Sequence, residues 1–187
     1  MNLIQEIQER WSPRAFSDTP VYYKDLDSSF EAARWAASSM NEQPWRFIVA
    51  TKSEDPELWN NLFNALVEGN QSWAKNAPAL VMVIAKNNFV YKDRPNFHAA
   101  YDTGAAAAQF VLQATKEGLY VHQMGGFIAD TARETLNIGD AFTPIAMMAV
   151  GHKGDAESLP EPLKQRELAP RSRKPIEEIV FKGRLEE

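Results

Sequence analysis

The sequence of 187 residues contains no cysteine. This absence excludes disulfides, thiolate nucleophiles and metal sites with cysteine ligands, and it suits a reducing compartment. Histidine is also scarce: His98, His122 and His152 are the only three, and their spacing fits no common pattern of metal ligands. We therefore predict that the protein has no metal site.

Long hydrophobic runs are missing as well. The longest one, near residues 79–85, is far too short to span a bilayer. The first residues lack the basic start and the apolar stretch of a signal peptide. Together with the net charge of −5, these features predict a cytoplasmic protein with no general affinity for nucleic acid or anionic membranes.

The signature motifs of several enzyme classes are absent. The sequence has no G-x-S-x-G elbow, so serine-hydrolase chemistry has no support. It also lacks the Walker A loop and the Rossmann G-x-G-x-x-G. If a nicotinamide nucleotide takes part, it therefore visits a site that other residues build.

The periodicity of the apolar residues predicts helices alternating with strands. Helices are expected near residues 3–10, 24–38, 58–69 and 98–117, and strands over 45–50, 79–85, 119–123 and 145–151. Gly69 is expected to close the third helix, so that Asn70 follows its end. The strand at 79–85 is apolar throughout, which indicates a strand covered on both faces. Residues from about 153 to 187 are rich in proline and charge, and we expect them to wrap over the body or over a partner.

Two basic motifs lie near opposite ends of the chain. The segment 10–14 (R-W-S-P-R) places two guanidinium groups and a hydroxyl within five residues, and the segment 169–175 (A-P-R-S-R-K-P) adds three more cations. Guanidinium groups match phosphate oxygens bidentately, so each segment is a candidate phosphate clamp. A helix end that carries compensating cations, for the first, and a solvated basic tail, for the second, are the alternatives.

Two further motifs combine polar side chains with turns. The segment 38–45 (S-S-M-N-E-Q-P-W) leads from a helix into a strand, and its hydroxyls and amides suit the edge of a planar heterocycle. The amide of Asn70 is a candidate for the same role. In the segment 123–127 (Q-M-G-G-F), paired glycines allow the backbone to approach a ligand closely. Each of these segments also fits an ordinary turn.

In their order and spacing, these four motifs and the alanine-rich helix around residues 105–108 resemble the FMN-dependent nitroreductase family. The resemblance implies an α+β (α/β sandwich-like), nitroreductase-like fold with a central mixed, mostly antiparallel sheet flanked by helices. It implies a single FMN-binding domain over residues 1–187. It also implies a homodimer with FMN at the interface, in which a C-terminal segment of about 153–187 extends onto the partner subunit.

The resemblance assigns one group of residues to the phosphate side of FMN. Arg10, Ser12 and Arg14 are expected to hold the phosphate and the ribityl chain. Arg171 and Arg173 are expected to clamp the phosphate from the late segment. Arg14 is also expected near the pyrimidine edge of the flavin, where a fixed cation favours the reduced anion.

A second group is assigned to the flavin ring. Three polar residues are expected to reach the flavin from the other subunit: Ser38, Ser39 and Asn41. Asn70 is expected to meet the pyrimidine ring, and the turn at Gly125 and Gly126 to place a backbone N–H near flavin N5. Many relatives have an acidic residue at the position of Gly125, and this departure puts the preferred acceptor in question.

The function implied by the resemblance is hydride transfer from NADH or NADPH through FMN to a small acceptor, such as a nitroaromatic or a quinone, with ping-pong kinetics. No catalytic side chain is predicted, since the flavin carries the chemistry. The alternatives are a flavin-binding storage or regulatory protein, a relative that dehalogenates or degrades flavin, and an interaction module without a cofactor. Residues 87–96 are expected to form either a lid that sets specificity or a solvated loop.

Overall fold

The computed structural model describes residues 2–184, and Met1 and the end of the predicted domain, residues 185–187, lie outside it. The described chain forms seven α-helices: α1 (Gln5–Glu9), α2 (Asp27–Arg34), α3 (Pro56–Asn64), α4 (Glu68–Ala74), α5 (Ala99–Lys116), α6 (Ala129–Thr135) and α7 (Glu161–Leu168). It forms four strands: β1 (Trp45–Thr51), β2 (Ala79–Lys86), β3 (Tyr120–Met124) and β4 (Phe142–Gly151). Short 3₁₀ turns lie at Tyr23–Leu26, Ser39–Asn41, Tyr91–Asp93, Ala156–Ser158 and Ile176–Glu178.

The four strands of the described chain form one sheet in the order β1-β2-β4-β3. Each of the three pairings is antiparallel, and the two long central strands align Val81 with Met148. The predicted α+β class is confirmed, and no parallel pair occurs among these four strands.

Strand β2 is buried on both faces, as its continuous apolar run predicts. Leu80 and Met82 point into a cluster that also contains side chains of α3, α4 and α6. Val81 and Val83 alternate with them and point into a second cluster, formed with α2 and α5. Since successive side chains of a strand point to opposite faces, helices on both sides of the sheet are needed to cover this strand.

The alanine-rich helix α5 is one of these covering helices. Ala106 and Ala107 are buried in the second cluster, where their small side chains allow α2 to pack closely. The helix ends at Lys116, and Gly118 shortly after it adopts a left-handed φ of 77°. Leu119 N–H then donates to the Ala114 carbonyl at 2.8 Å, which satisfies a carbonyl of the last helical turn.

The prediction that Gly69 closes a helix is wrong. Helix α3 ends at Asn64, and both Gly69 and Asn70 lie inside the separate helix α4. The chain leaves α3 at this point because Leu66 forms a β-bridge with Phe127. Helix α4 then has a buried face of its own, which contains Trp73.

The C-terminal part of the described chain is only partly packed on the body. Leu159 is buried and Leu163 packs against the first core cluster, so α7 is attached to the domain. Glu167 is also buried, whereas residues 168–184 are exposed. No helix between residues 2 and 184 is both long and apolar enough to cross a membrane.

Candidate functional site

A cavity of about 370 Å³ lies where the loop after α1 meets the segment after α7. Its lining includes Arg10, Ser12 and Arg14 from the early motif, and Arg171 and Arg173 from the late motif. The fold therefore brings together all five residues that the sequence assigns to the phosphate. We call this space the cationic cavity.

The lining of the cationic cavity also includes two ionisable residues that the sequence analysis does not identify as site residues. Arg166 lies in the last turn of α7, and His122 lies on β3. In the sequence, Arg166 belongs to a basic group that also fits a solvated tail. His122 has a weaker signal, which is its place on the strand that leads into the glycine turn.

Hydrogen bonds link the two halves of the cavity. Arg10 Nη1 donates to Ser12 Oγ at 3.1 Å within the early loop. Arg171 Nη1 donates to the Arg10 carbonyl at 2.6 Å and joins the late segment to that loop. Behind the cavity wall, the Glu167 carboxylate accepts from Trp11 Nε1 at 3.2 Å and from the Arg14 N–H at 2.9 Å.

The electrostatics of the cavity favour an anion. Five arginines line it, and none of its lining residues is acidic. Burial lowers the pKa of Arg10, and the nearby charges of Arg173 and Arg171 lower it further. Because the positive charges of these arginines repel one another, a multiply charged anion would stabilise the cluster. A phosphate monoester such as that of FMN has the charge and the acceptor geometry to do so.

His122 is held in one orientation beside these arginines. Its Nδ1 lies 2.9 Å from the Pro13 carbonyl and must donate to it, since a carbonyl only accepts. Its ring centroid lies 4.4 Å from that of Trp73. Burial lowers the pKa of His122 to about 4, with a smaller effect of Arg14 in the same direction, so the imidazole is neutral at neutral pH.

The glycine turn contacts Asn70 directly. The Asn70 side-chain amide and the Val67 N–H both donate to the Gly126 carbonyl, at 2.9 Å and 3.2 Å. A Cβ atom at Gly126 would lie 2.7 Å from Asn70 Nδ2, so a side chain at this position would displace the Asn70 amide. Gly125 has no such neighbour within 4 Å. Within residues 2–184, neither glycine N–H has a hydrogen-bond acceptor, and both remain available to a ligand.

The turn at residues 38–43 is ordered by its own hydrogen bonds. Ser38 Oγ accepts from the Gln43 N–H at 3.0 Å, and Asn41 Oδ1 accepts from Gln43 Nε2 at 3.2 Å. The buried carboxylate of Asp102 on α5 accepts from the Ser39 N–H at 2.9 Å. The remaining predicted site residues do not line the cationic cavity: Ser38, Ser39, Asn41, Asn70, Gly125 and Gly126.

Residues 87–96 rest against that turn. An isolated β-bridge joins Asn88 to Pro95, and the exposed tip contains Tyr91. The Val90 N–H donates to Glu42 at 2.9 Å, and the Arg94 guanidinium lies 3.0 Å from the Met40 sulfur. These two contacts attach the segment to residues 38–43.

Comparison with known proteins gives consistent matches. The profile of the nitroreductase family matches residues 7–152. A crystal structure of an oxidoreductase containing FMN has a TM-score of 0.92 and 38% sequence identity, and the match covers 100% of this chain and 94% of that one. An uncharacterized 15.4 kDa protein of Mycolicibacterium smegmatis is 36% identical over 74% of this chain and 96% of its own length. The FMN reductase (NAD(P)H) of Bacillus subtilis strain 168 is 24% identical over 82% of this chain and 66% of its own length.

Proposed function

The chain belongs to the nitroreductase family, as its motifs and fold predict, and we propose that it is an NAD(P)H-dependent oxidoreductase that binds FMN through the cationic cavity. The observation that carries this proposal is the meeting of the early and late arginine motifs around one space without a lining carboxylate. Neither motif forms a phosphate site alone, and only the fold combines them.

The residues of the cavity hold the phosphate end of the cofactor. Arg10, Ser12 and Arg14 contact it from the early loop, and Arg171 and Arg173 from the late segment. Guanidinium donors suit the phosphate because they offer paired N–H groups in a fixed plane. Arg166 extends the same positive surface from α7.

The residues of the glycine turn hold the ring end. Asn70 is fixed against Gly126, and the backbone N–H groups of Gly125 and Gly126 have no protein acceptor within the described chain. Gly125 has room for a side chain, so its small size leaves space beside the bound ring rather than relieving a clash.

The partner subunit supplies the rest of the site. Three residues lie outside the cavity of their own chain and contact the cofactor of the other subunit: Ser38, Ser39 and Asn41. This proposal makes the protein a homodimer with FMN at the interface. The whole chain forms one domain, and of the expected C-terminal extension only the exposed segment 168–184 is free to extend onto the partner, since α7 packs on its own domain. A chain without cysteine suits the cytoplasm as its location.

FMN, when bound, supplies the redox chemistry by taking a hydride from NADH or NADPH and giving it to a small acceptor such as a nitroaromatic or a quinone. The chain binds and orients the participants. The fixed charge of Arg14 stabilises negative charge that develops nearby, and the neutral His122 adds none. We expect the nicotinamide and the acceptor to use the same space in turn, which gives ping-pong kinetics.

The absorption spectrum of the purified protein, followed by anaerobic titration with each nicotinamide, tests this function. We expect a yellow protein whose visible flavin band bleaches with NADH or NADPH and returns on addition of a quinone. Double-reciprocal plots at several quinone concentrations should be parallel. A protein that binds flavin but is reduced by neither nicotinamide would indicate a storage or regulatory role, and a colourless protein that takes up no FMN would refute the proposal.

A further inference from the structure

A buried carboxylate lies outside the lining of the cationic cavity and contacts the early loop from behind. Glu167, near the end of α7, is only 5% exposed. Both of its oxygens accept hydrogen bonds: Oε1 from the Trp11 indole and Oε2 from the Arg14 backbone N–H. Neither contact involves a charged side chain of the lining, so Glu167 acts on the backbone and on the packing of the loop.

These contacts join parts of the chain that are far apart in sequence. The early loop has no regular secondary structure around residues 10–14, so its own backbone does not fix the directions of Arg10 and Arg14. Helix α7 carries Arg166 into the lining and leads directly to Arg171 and Arg173. The Glu167 carboxylate therefore ties two points of the early loop to α7, in addition to the bonds of Arg171 to the Arg10 carbonyl and of His122 to the Pro13 carbonyl.

We propose that Glu167 is a positioning residue for the phosphate: it holds the early loop so that both arginine motifs reach the same anion. This role rests on the proposed function, since it presumes that FMN occupies the cavity. It adds a residue that does not touch the cofactor yet selects for its phosphate.

The two bonds explain why a carboxylate is needed. A glutamine of the same shape has one oxygen acceptor, and its NH₂ group faces a second donor, so one of the two bonds is lost. Hydrogen bonds to a charged acceptor in a buried position are among the stronger ones in proteins. The Glu167→Gln variant should thus loosen the loop without creating a cavity.

The negative charge of Glu167 affects phosphate binding in the opposite direction to its hydrogen bonds. The carboxylate is negative and lies close to a site for an anion, so its removal strengthens the attraction for phosphate if charge is all that matters. A positioning role predicts weaker FMN binding in Glu167→Gln, and a purely electrostatic role predicts tighter binding. The sign of the change separates the two.

The experiment compares FMN with riboflavin, which lacks the phosphate, by quenching of flavin fluorescence. In Glu167→Gln we expect the dissociation constant for FMN to rise about tenfold or more, as for the loss of one charge-assisted hydrogen bond. The constant for riboflavin should stay within about twofold, since the loss is small where no phosphate bond is made. Glu161→Gln is the matched control: it removes a carboxylate from the first turn of the same helix and should change neither constant.

Three results would overturn the proposed role alone: unchanged FMN binding in Glu167→Gln, tighter FMN binding, or an equal loss for FMN and riboflavin. A wild-type protein that binds no FMN would overturn the proposed function, and the role of Glu167 with it. If Glu167→Gln does not fold by circular dichroism, Trp11→Phe replaces it, because this variant removes the indole donor to Glu167; it also shortens a lining side chain, an effect that FMN and riboflavin share. It should weaken FMN binding several-fold relative to riboflavin, and an unchanged ratio would refute the role.

Discussion

Arg171 donates a 2.6 Å hydrogen bond from its guanidinium to the backbone carbonyl of Arg10, although 161 positions separate the two residues. The bond uses one of the five N–H donors of Arg171 and leaves the others for a ligand. The guanidinium of Arg10 takes no part in this bond, because the acceptor is the Arg10 backbone carbonyl. The late segment is thereby attached to the early loop while both guanidiniums still line the cavity.

Removal of the late clamp should release the cofactor. Charge-assisted hydrogen bonds contribute roughly 1.5–3 kcal/mol each, so the double variant Arg171→Ala, Arg173→Ala should lose FMN during purification. The flavin-to-protein ratio from absorption gives the result. Lys182→Ala with Arg184→Ala removes the same charge from the same exposed segment outside the cavity and should remain yellow. A fully yellow clamp variant would contradict the assignment.

The two neighbouring glycines should differ in their tolerance of a methyl group. In Gly126→Ala the new Cβ displaces the Asn70 amide and breaks its bond to the Gly126 carbonyl, at a cost of about 0.5–1.5 kcal/mol in the free energy of unfolding. FMN affinity should fall as well, because Asn70 is a proposed ligand. Gly125→Ala meets nothing within 4 Å and should unfold like the wild type in urea. Equal stability of the two variants would argue against this contact.

His122 should make stability depend on pH in acid. Burial lowers its folded-state pKa to about 4 from an ordinary value of 6.5, so the unfolded chain binds the proton more tightly. The destabilisation is absent above pH 6.5, sets in as the pH falls and is complete below about pH 4. The resulting loss in the free energy of unfolding is about 3 kcal/mol.

Urea unfolding between pH 7 and pH 4.5 measures this contribution. His122→Gln has no titrating imidazole and should show a flatter loss of stability than the wild type. His98→Gln removes an exposed histidine and serves as the control, with an unchanged slope. Parallel profiles for wild type and His122→Gln would show that burial of this ring does not oppose its protonation.

A site shared between subunits can be tested by complementation. One chain carries Arg171→Ala and Arg173→Ala, and the other carries Ser38→Ala and Asn41→Ala. Each homodimer should bind FMN weakly. In the hybrid dimer, the intact cavity of the second chain meets the intact turn of the first, so one site is complete.

Co-expression with two different affinity tags isolates the hybrid, and its flavin content and quinone reductase activity are then measured. We expect about half of the wild-type flavin content, because one of the two proposed sites is intact. If each site were built from one chain only, the hybrid would contain no intact site and would remain as poor in flavin as its parents.

Much of the site could be predicted from the sequence because its residues occur in short segments with local chemistry. The segments 10–14 and 169–175 each contain guanidinium groups suited to phosphate. Phosphate binding can therefore be predicted for each segment without knowing that the fold brings them together. The continuous apolar run of β2 likewise predicts that both faces of the sheet are covered, and the structure has helices on both.

The rest depends on tertiary contacts that no local pattern encodes. Glu167 is one of two glutamates in α7, and only the packing of that helix against Trp11 distinguishes it. Helix α4 is hidden in the sequence because its break from α3 results from the bridge between Leu66 and Phe127, which are distant along the chain.

The attachment of residue 171 to residue 10 also orders events in the life of the protein. A nascent chain on the ribosome lacks the clamp until the segment after α7 has emerged, even when the sheet and its helices are already assembled. Under the proposed function, we therefore expect cofactor loading to be one of the last steps of biosynthesis. Residues 168–184 are exposed in the single chain, so under the proposed function we expect a proteolytic cut after Leu168 to release FMN while the rest of the domain stays folded.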